Sequence, residues 1–206
     1  YFHPSFHESN IYLNHYYNMG VDKIVIYDNN YNDEEYFEDV VDNSLIGSKL
    51  DIIDYRNKTN CQLKAYSECY DMYGSEYDWI LFIDCGDEYL YMNGFENIKD
   101  FLCQDKFKSF DMIHINLMTF GDNDKVYYED KPLKERFKYP VYPLDWKKNY
   151  NISENCHVSS IIRGGLELVV WGDTPHTPIN HIKCCNASGV ECDSASPFCD
   201  IDFRLK

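Results

Sequence analysis

The chain has 206 residues, 44% hydrophobic and 26% charged, which supplies the apolar material of a folded domain and excludes disorder as its main state. Lys and Arg total 19 against 35 Asp and Glu, and the formal charge of -16 repels a nucleic-acid backbone or an anionic membrane surface at long range. A phosphorylated ligand would need local help against that field, and an acidic chain can supply it with carboxylates that hold a divalent cation.

The first predicted element is a helix over residues 5–19, where Tyr12, Tyr16 and Met19 share a face and Gly20 supplies the left-handed residue that ends it. Residues 23–27 (Lys-Ile-Val-Ile-Tyr) read as a strand covered on both faces, ending in Asp28-Asn29-Asn30. Asp33 would cap an acidic helix running through Val40, Val41 and Leu45 to Gly47. A second strand follows at 50–55, and then a helix capped by Asn60 that carries Leu63, Tyr66, Cys69 and Tyr70. The most apolar strand, 79–83, runs straight into Asp84.

Strands alternate with helices on short connections here, which predicts an α/β fold with a mainly parallel sheet and flanking helices. Past Glu88 the alternation weakens to a helix over 97–107 and a strand over 112–120. Residues 122–150 mix charge, Pro and Tyr without a period, as a functional loop would, and the C-terminal half reads as irregular. Residues 158–163 and 166–171 are predicted to form a hairpin turning at Gly164-Gly165. One domain over 1–206 is expected, with a ligand-binding half at 1–90 and a second half at 91–206.

Nine cysteines cannot all pair within one chain, and a reducing, cytoplasmic setting suits them best. The last four, Cys184, Cys185, Cys192 and Cys199, lie near His181 but lack a Cys-x-x-Cys pair, so they read as loop thiols or disulfide partners ahead of zinc ligands. Three sequons, at Asn57, Asn151 and Asn186, are what an Asn-rich chain contains by chance. No run reaches the ~18–20 apolar residues of a membrane helix, and residues 1–10 lack the pattern of a signal peptide. Beginning at Tyr1, the sequence reads as an internal piece of a longer protein.

The chemistry concentrates at strand exits. Asp84, Asp87 and Glu88 fall within five positions, and carboxylates so close raise one another's pKa or share a cation, with oxygen ligands favouring Mg²⁺ or Mn²⁺ on a diphosphate. An acidic turn after a core strand would have the same composition. Asp28, Asn29 and Asn30 suit a loop that hydrogen-bonds a base or ribose, although helix capping alone could explain them. His176, in a Pro-fixed loop of residues 173–178, is a further possible metal ligand or diphosphate contact.

Residues 15–30, the 62–69 helix, Tyr77-Asp78-Trp79-Ile80-Leu81-Phe82-Ile83-Asp84, Met118-Thr119-Phe120-Gly121, Glu135-Arg136-Phe137, Ser160-Ile161-Ile162-Arg163 and His176-Thr177-Pro178 together resemble the family-2-type glycosyltransferases. The resemblance implies a GT-A (Rossmann-like) fold, a UDP- or GDP-linked sugar donor, and Mn²⁺ or Mg²⁺ held by Asp84, Asp87 and Glu88 with His176. It places Asp28, Asn29, Asn30, Gln62 and Arg163 on the donor. The family's acidic motif is Asp-x-Asp-Glu, whereas Cys85 and Gly86 both separate Asp84 from Asp87 here. The family's first strand would precede residue 8. The reading is a transferase acting on a glycan or lipid-linked acceptor, with membrane association only through parts outside this sequence, or a Golgi setting if an anchor exists. An inverting reaction needs a base for the acceptor hydroxyl, for which Asp122, Asp124 and Glu135 are candidates. The rivals are a nucleotidyltransferase, for which basic Gly-rich loops are lacking, and an inactive glycan-binding or scaffold domain using the many tyrosines.

Overall fold

The computed structural model describes residues 6–31, 36–92, 94–122, 124–127, 129, 131–140, 157–172, 174–178, 180 and 182–198. They form two compact units that interleave in sequence, the first from residues 1–65 and 84–104 and the second from 66–83 and 105–206. No helix among the described residues is long and apolar enough to cross a membrane.

In the first unit, helix α1 (Phe6–Asn18) buries Tyr12, Leu13 and Tyr16 along one face and stops at Gly20, whose φ of +87° continues no helix. Strands β1 (Ile24–Asp28) and β2 (Leu50–Asp54) pair in parallel, which sets Asp28 beside Asp54 at their carboxyl ends. The acidic helix expected between them is absent: two short 3-10 turns, Phe37–Val40 and Asn43–Leu45, stand there. Local side chains outcompete the helix for its backbone donors. Asp28 takes the Phe37 N–H and Asn10 takes that of Asp42, while Asp42 accepts from Ser44. Asp33, the expected cap, lies outside the described residues. Helix α2 (Gln62–Tyr73) begins in this unit, and α3 (Ile98–Leu102) is capped by the Asn97 side chain on Lys99 N.

The second unit is built on a five-stranded sheet in the order β3 (Trp79–Phe82), β5 (Val158–Arg163), β4 (Met112–Asn116), β6 (Cys184–Asn186), β7 (Glu191–Cys192). Only β4 and β6 are parallel; β3–β5, β4–β5 and β6–β7 are antiparallel. The expectation of one mainly parallel sheet is therefore corrected to a short parallel pair and a mostly antiparallel sheet. The cause is β5, which inserts between β3 and β4 and runs against both. Its nearly continuous burial reads the same whichever way its neighbours run.

The hairpin expected after β5 is also corrected, because residues 166–171 form no strand and Gly164-Gly165 instead carries the backbone onto α2 and β3. Gly164 N donates to Asp78 O at 2.8 Å and Gly165 N to Gly74 O at 2.7 Å. A Cβ on Gly164 would lie 1.7 Å from Tyr77 O, so the close approach requires glycine. The rings of Tyr66, Phe82 and Trp171 pack together at centroid distances of 4.9 to 5.1 Å, with Trp171 edge-on to both others, and Met112, Ile113, Ile161 and Ile162 of the sheet are buried.

Candidate functional site

The acidic loop that follows β3 belongs to the first unit, where α1 grips it. Tyr12 donates to Asp84 O at 3.3 Å, Tyr16 donates to Glu88 O at 3.0 Å and accepts from Leu90 N at 3.1 Å, and His15 Nε2 meets Leu90 O at 2.8 Å. Rings reinforce the grip, with Tyr89 edge-on to both Tyr12 and His15 at 5.3 and 5.2 Å. Burial raises the phenols of Tyr12 and Tyr16 above their ordinary value and pushes Tyr89 up to about 12, so all three remain protonated at neutral pH. The helix-period tyrosines of α1 thus position the loop, a role their sequence pattern shared with plain core packing.

Within the loop Gly86 turns at a φ of +104°. Glu88 reaches back to accept from Asp84 N at 3.1 Å, and the Gln62 amide at the start of α2 donates to Asp84 Oδ1 at 2.5 Å. Partial burial, with the Asp84 carboxylate beside it, raises the Asp87 carboxyl above its ordinary value. Although Cys85 reaches the surface, protein crowds its thiol, which rises to about 12 under that burial and the fields of Asp87, Asp84 and Asp28. Three carboxylates from two loops therefore act on one sulfur. Among the described residues the ligand atoms of Asp28, Asp84, Asp87 and Glu88 are not drawn together into a metal-binding group, so a divalent cation here would have to gather them.

Asp28 is buried, and its two oxygens accept from Asn30 N at 3.2 Å and Phe37 N at 2.9 Å, so it shapes the loop after β1. The Asn29 amide faces the carbonyls of Tyr55 and Lys58 and, with its nitrogen on that side, donates to both at 2.9 and 2.8 Å. Arg56, which the sequence reading passed over, lies buried just past β2. It stacks 3.9 Å from the Tyr36 ring centroid and donates to Tyr31 O, next to the half-exposed rings of Tyr31 and Tyr36. It is the first of only four arginines in a strongly acidic chain and stands at a strand's carboxyl end, a signal that could have found it.

The remaining expected site residues belong to the second unit. Arg163 fastens the end of the interior strand β5: its guanidinium donates to Phe110 O at 2.8 and 3.0 Å and to Phe107 O at 3.1 Å, and it lies 4.2 Å over Trp79. His176 gives its carbonyl to Ser160 and sets its ring 5.3 Å from that of His157. Asp122, Asp124 and Glu135 are exposed; Asp122 accepts from Asp124 N at 3.1 Å, and Glu135 lies on the short helix α4 (Leu133–Arg136). Tyr127 and Tyr139, in the irregular 122–150 segment, are exposed, whereas Asp173 and His181 lie outside the described residues.

Comparison with curated proteins and with solved structures gives no match. Residues 5–163, which include the α1 grip, the loop after β1, Arg56, Gln62 and the whole acidic loop, match the profile of Glycosyltransferase family 92. The match agrees with the resemblance read from the sequence at the level of a glycosyltransferase and assigns a different family number. On this match over most of its length, the chain belongs to glycosyltransferase family 92.

Proposed function

We propose that the protein transfers a sugar from a nucleotide-diphosphate donor to a glycan or lipid-linked acceptor, with a GT-A-like first unit holding the donor. The observation that carries this reading is the convergence of Asp28, Asp84 and Asp87 on the Cys85 loop, with Gln62 fixing Asp84. Asp84, Asp87 and Glu88 would hold Mn²⁺ or Mg²⁺, which neutralises charge on the leaving diphosphate when bound. Arg56, Tyr31 and Tyr36 offer a cation and flat rings to the nucleotide. For the acceptor we assign the exposed Tyr127 and Tyr139, with Asp122, Asp124 and Glu135 as the carboxylates available to take the hydroxyl proton.

A second reading, an inactive glycan-binding or scaffold domain, is favoured by one feature. Cys85 and Gly86 lengthen the acidic motif, whose Asp84 carboxylate already accepts from Gln62 on α2 and whose Glu88 carboxylate already accepts from Asp84 N. Calorimetric titration with UDP and with GDP, in Mn²⁺ and in EDTA, separates the readings. Metal-dependent binding supports the transferase, and no binding in either medium supports the scaffold.

A further inference from the structure

Strands β4, β6 and β7 of the second unit bring three metal-ligating side chains together. Cys192 Sγ lies 3.4 Å from Cys184 Sγ and 3.7 Å from His114 Nδ1, and ligand atoms of all three residues fall within 4.8 Å of one another. Register explains the meeting. Cys184 is the direct partner of Cys192 on β7 and of Met112 on β4, and His114, two residues beyond Met112, shares its face. His114 and Cys184 are fully buried, and Cys192 on the edge strand is half-buried.

A tetrahedral zinc ion with Zn–S of ~2.3 Å and Zn–N of ~2.0–2.1 Å sets its ligands about 3.8 Å apart for two sulfurs and about 3.5 Å apart for sulfur and nitrogen. The spacings of 3.4 and 3.7 Å lie within a few tenths of an ångström of those edges. Charge agrees as well. Two thiolates cancel Zn²⁺ and an imidazole adds none, so the loaded site is neutral, and the two thiol protons leave to solvent on binding. Sulfur ligands disfavour Mg²⁺ and Mn²⁺, which separates this cluster from the carboxylate loop.

We propose that His114, Cys184 and Cys192 bind a zinc ion, with water completing its coordination. The ion clips β7, an edge strand of only two residues, onto the sheet. It also joins positions 78 apart in sequence, a long loop whose closure such a clip stabilises effectively.

The test uses the full chain, purified under reducing conditions, stripped with a chelator and titrated with Zn²⁺ and with Co²⁺ as a spectroscopic probe. We expect one zinc per chain, a Co²⁺ spectrum with thiolate charge-transfer and tetrahedral bands that Zn²⁺ abolishes, and protection of Cys184 and Cys192 from alkylation mapped by mass spectrometry. C184S, C192S and H114A should each weaken zinc binding at least about 100-fold, more than a supporting residue would. D87A should leave the Co²⁺ spectrum unchanged, which keeps this result separate from the donor site. Alkylation mapping on the unaltered chain decides the matter if the buried variants fail to fold. Zinc that binds equally well to C184S, a Co²⁺ spectrum without thiolate bands, or a Cys184–Cys192 disulfide in the reduced preparation would overturn the proposal.

Discussion

The Gln62 side chain donates to Asp84 Oδ1 at 2.5 Å and so ties the first turn of α2 to the start of the acidic loop. A hydrogen bond to a carboxylate contributes more than a neutral one, and it fixes which way Asp84 presents its other oxygen. Gln62→Ala should therefore weaken Mn²⁺-dependent nucleotide binding by about tenfold while the melting temperature stays near that of the parent, a split that calorimetry and a thermal melt will read.

Tyr16 carries two hydrogen bonds of the same loop, to Glu88 O and from Leu90 N. Tyr16→Phe keeps the ring and removes both, at a cost of about 1–3 kcal/mol measured by denaturant unfolding. Burial holds this phenol, and that of Tyr12, above the ordinary value, so their contribution to stability is complete below about pH 10 and is lost as pH rises toward their folded values. The parent should unfold more steeply in alkali than Tyr16→Phe, as seen in pH titrations followed by circular dichroism.

Arg163 separates a structural from a ligand-binding assignment. With its guanidinium bound to the Phe107 and Phe110 carbonyls and lying over Trp79, Arg163→Ala should cost about 2–4 kcal/mol. Nucleotide affinity of the folded fraction should stay unchanged. A large loss of affinity with intact stability would return Arg163 to the donor.

Gly164→Ala tests the corrected topology. A hairpin turn would tolerate the methyl group at modest cost, whereas here it meets Tyr77 O at 1.7 Å and Gly74 O at 2.6 Å. The variant should lose several kcal/mol, on the order of 3 or more, or fail to accumulate as folded protein.

Much of the first unit was legible because its signals are local. Tyr12, Tyr16 and Gly20 mark α1, and the runs ending at Asp28 and near Asp54 mark β1 and β2, whereas the helix read over 97–107 is the shorter α3 followed by a 3-10 turn at Asp105–Phe107. The acidic loop was legible for the same reason, since Asp84, Asp87 and Glu88 are sequence neighbours. What failed was long-range. Val158 to Arg163 reads as a strand from its own residues, but nothing in them says that it pairs with both β3 and β4. His114 reads as one polar residue in an apolar strand, and only register brings it to Cys184 and Cys192. The 37–45 region reads as helical from its periodicity, but Asp28, Asn10 and Asp42 capture its backbone N–H groups from positions that periodicity does not weigh.

The central claim, a metal-dependent nucleotide-sugar site on the acidic loop, is tested most directly by calorimetric titration of UDP and GDP into the protein and into its Asp87→Ala variant. The account predicts binding to the parent in Mn²⁺, its loss in EDTA and its loss in the variant. Tight binding in EDTA, or undiminished binding to Asp87→Ala, would contradict it and show that Arg or Lys side chains hold the diphosphate instead.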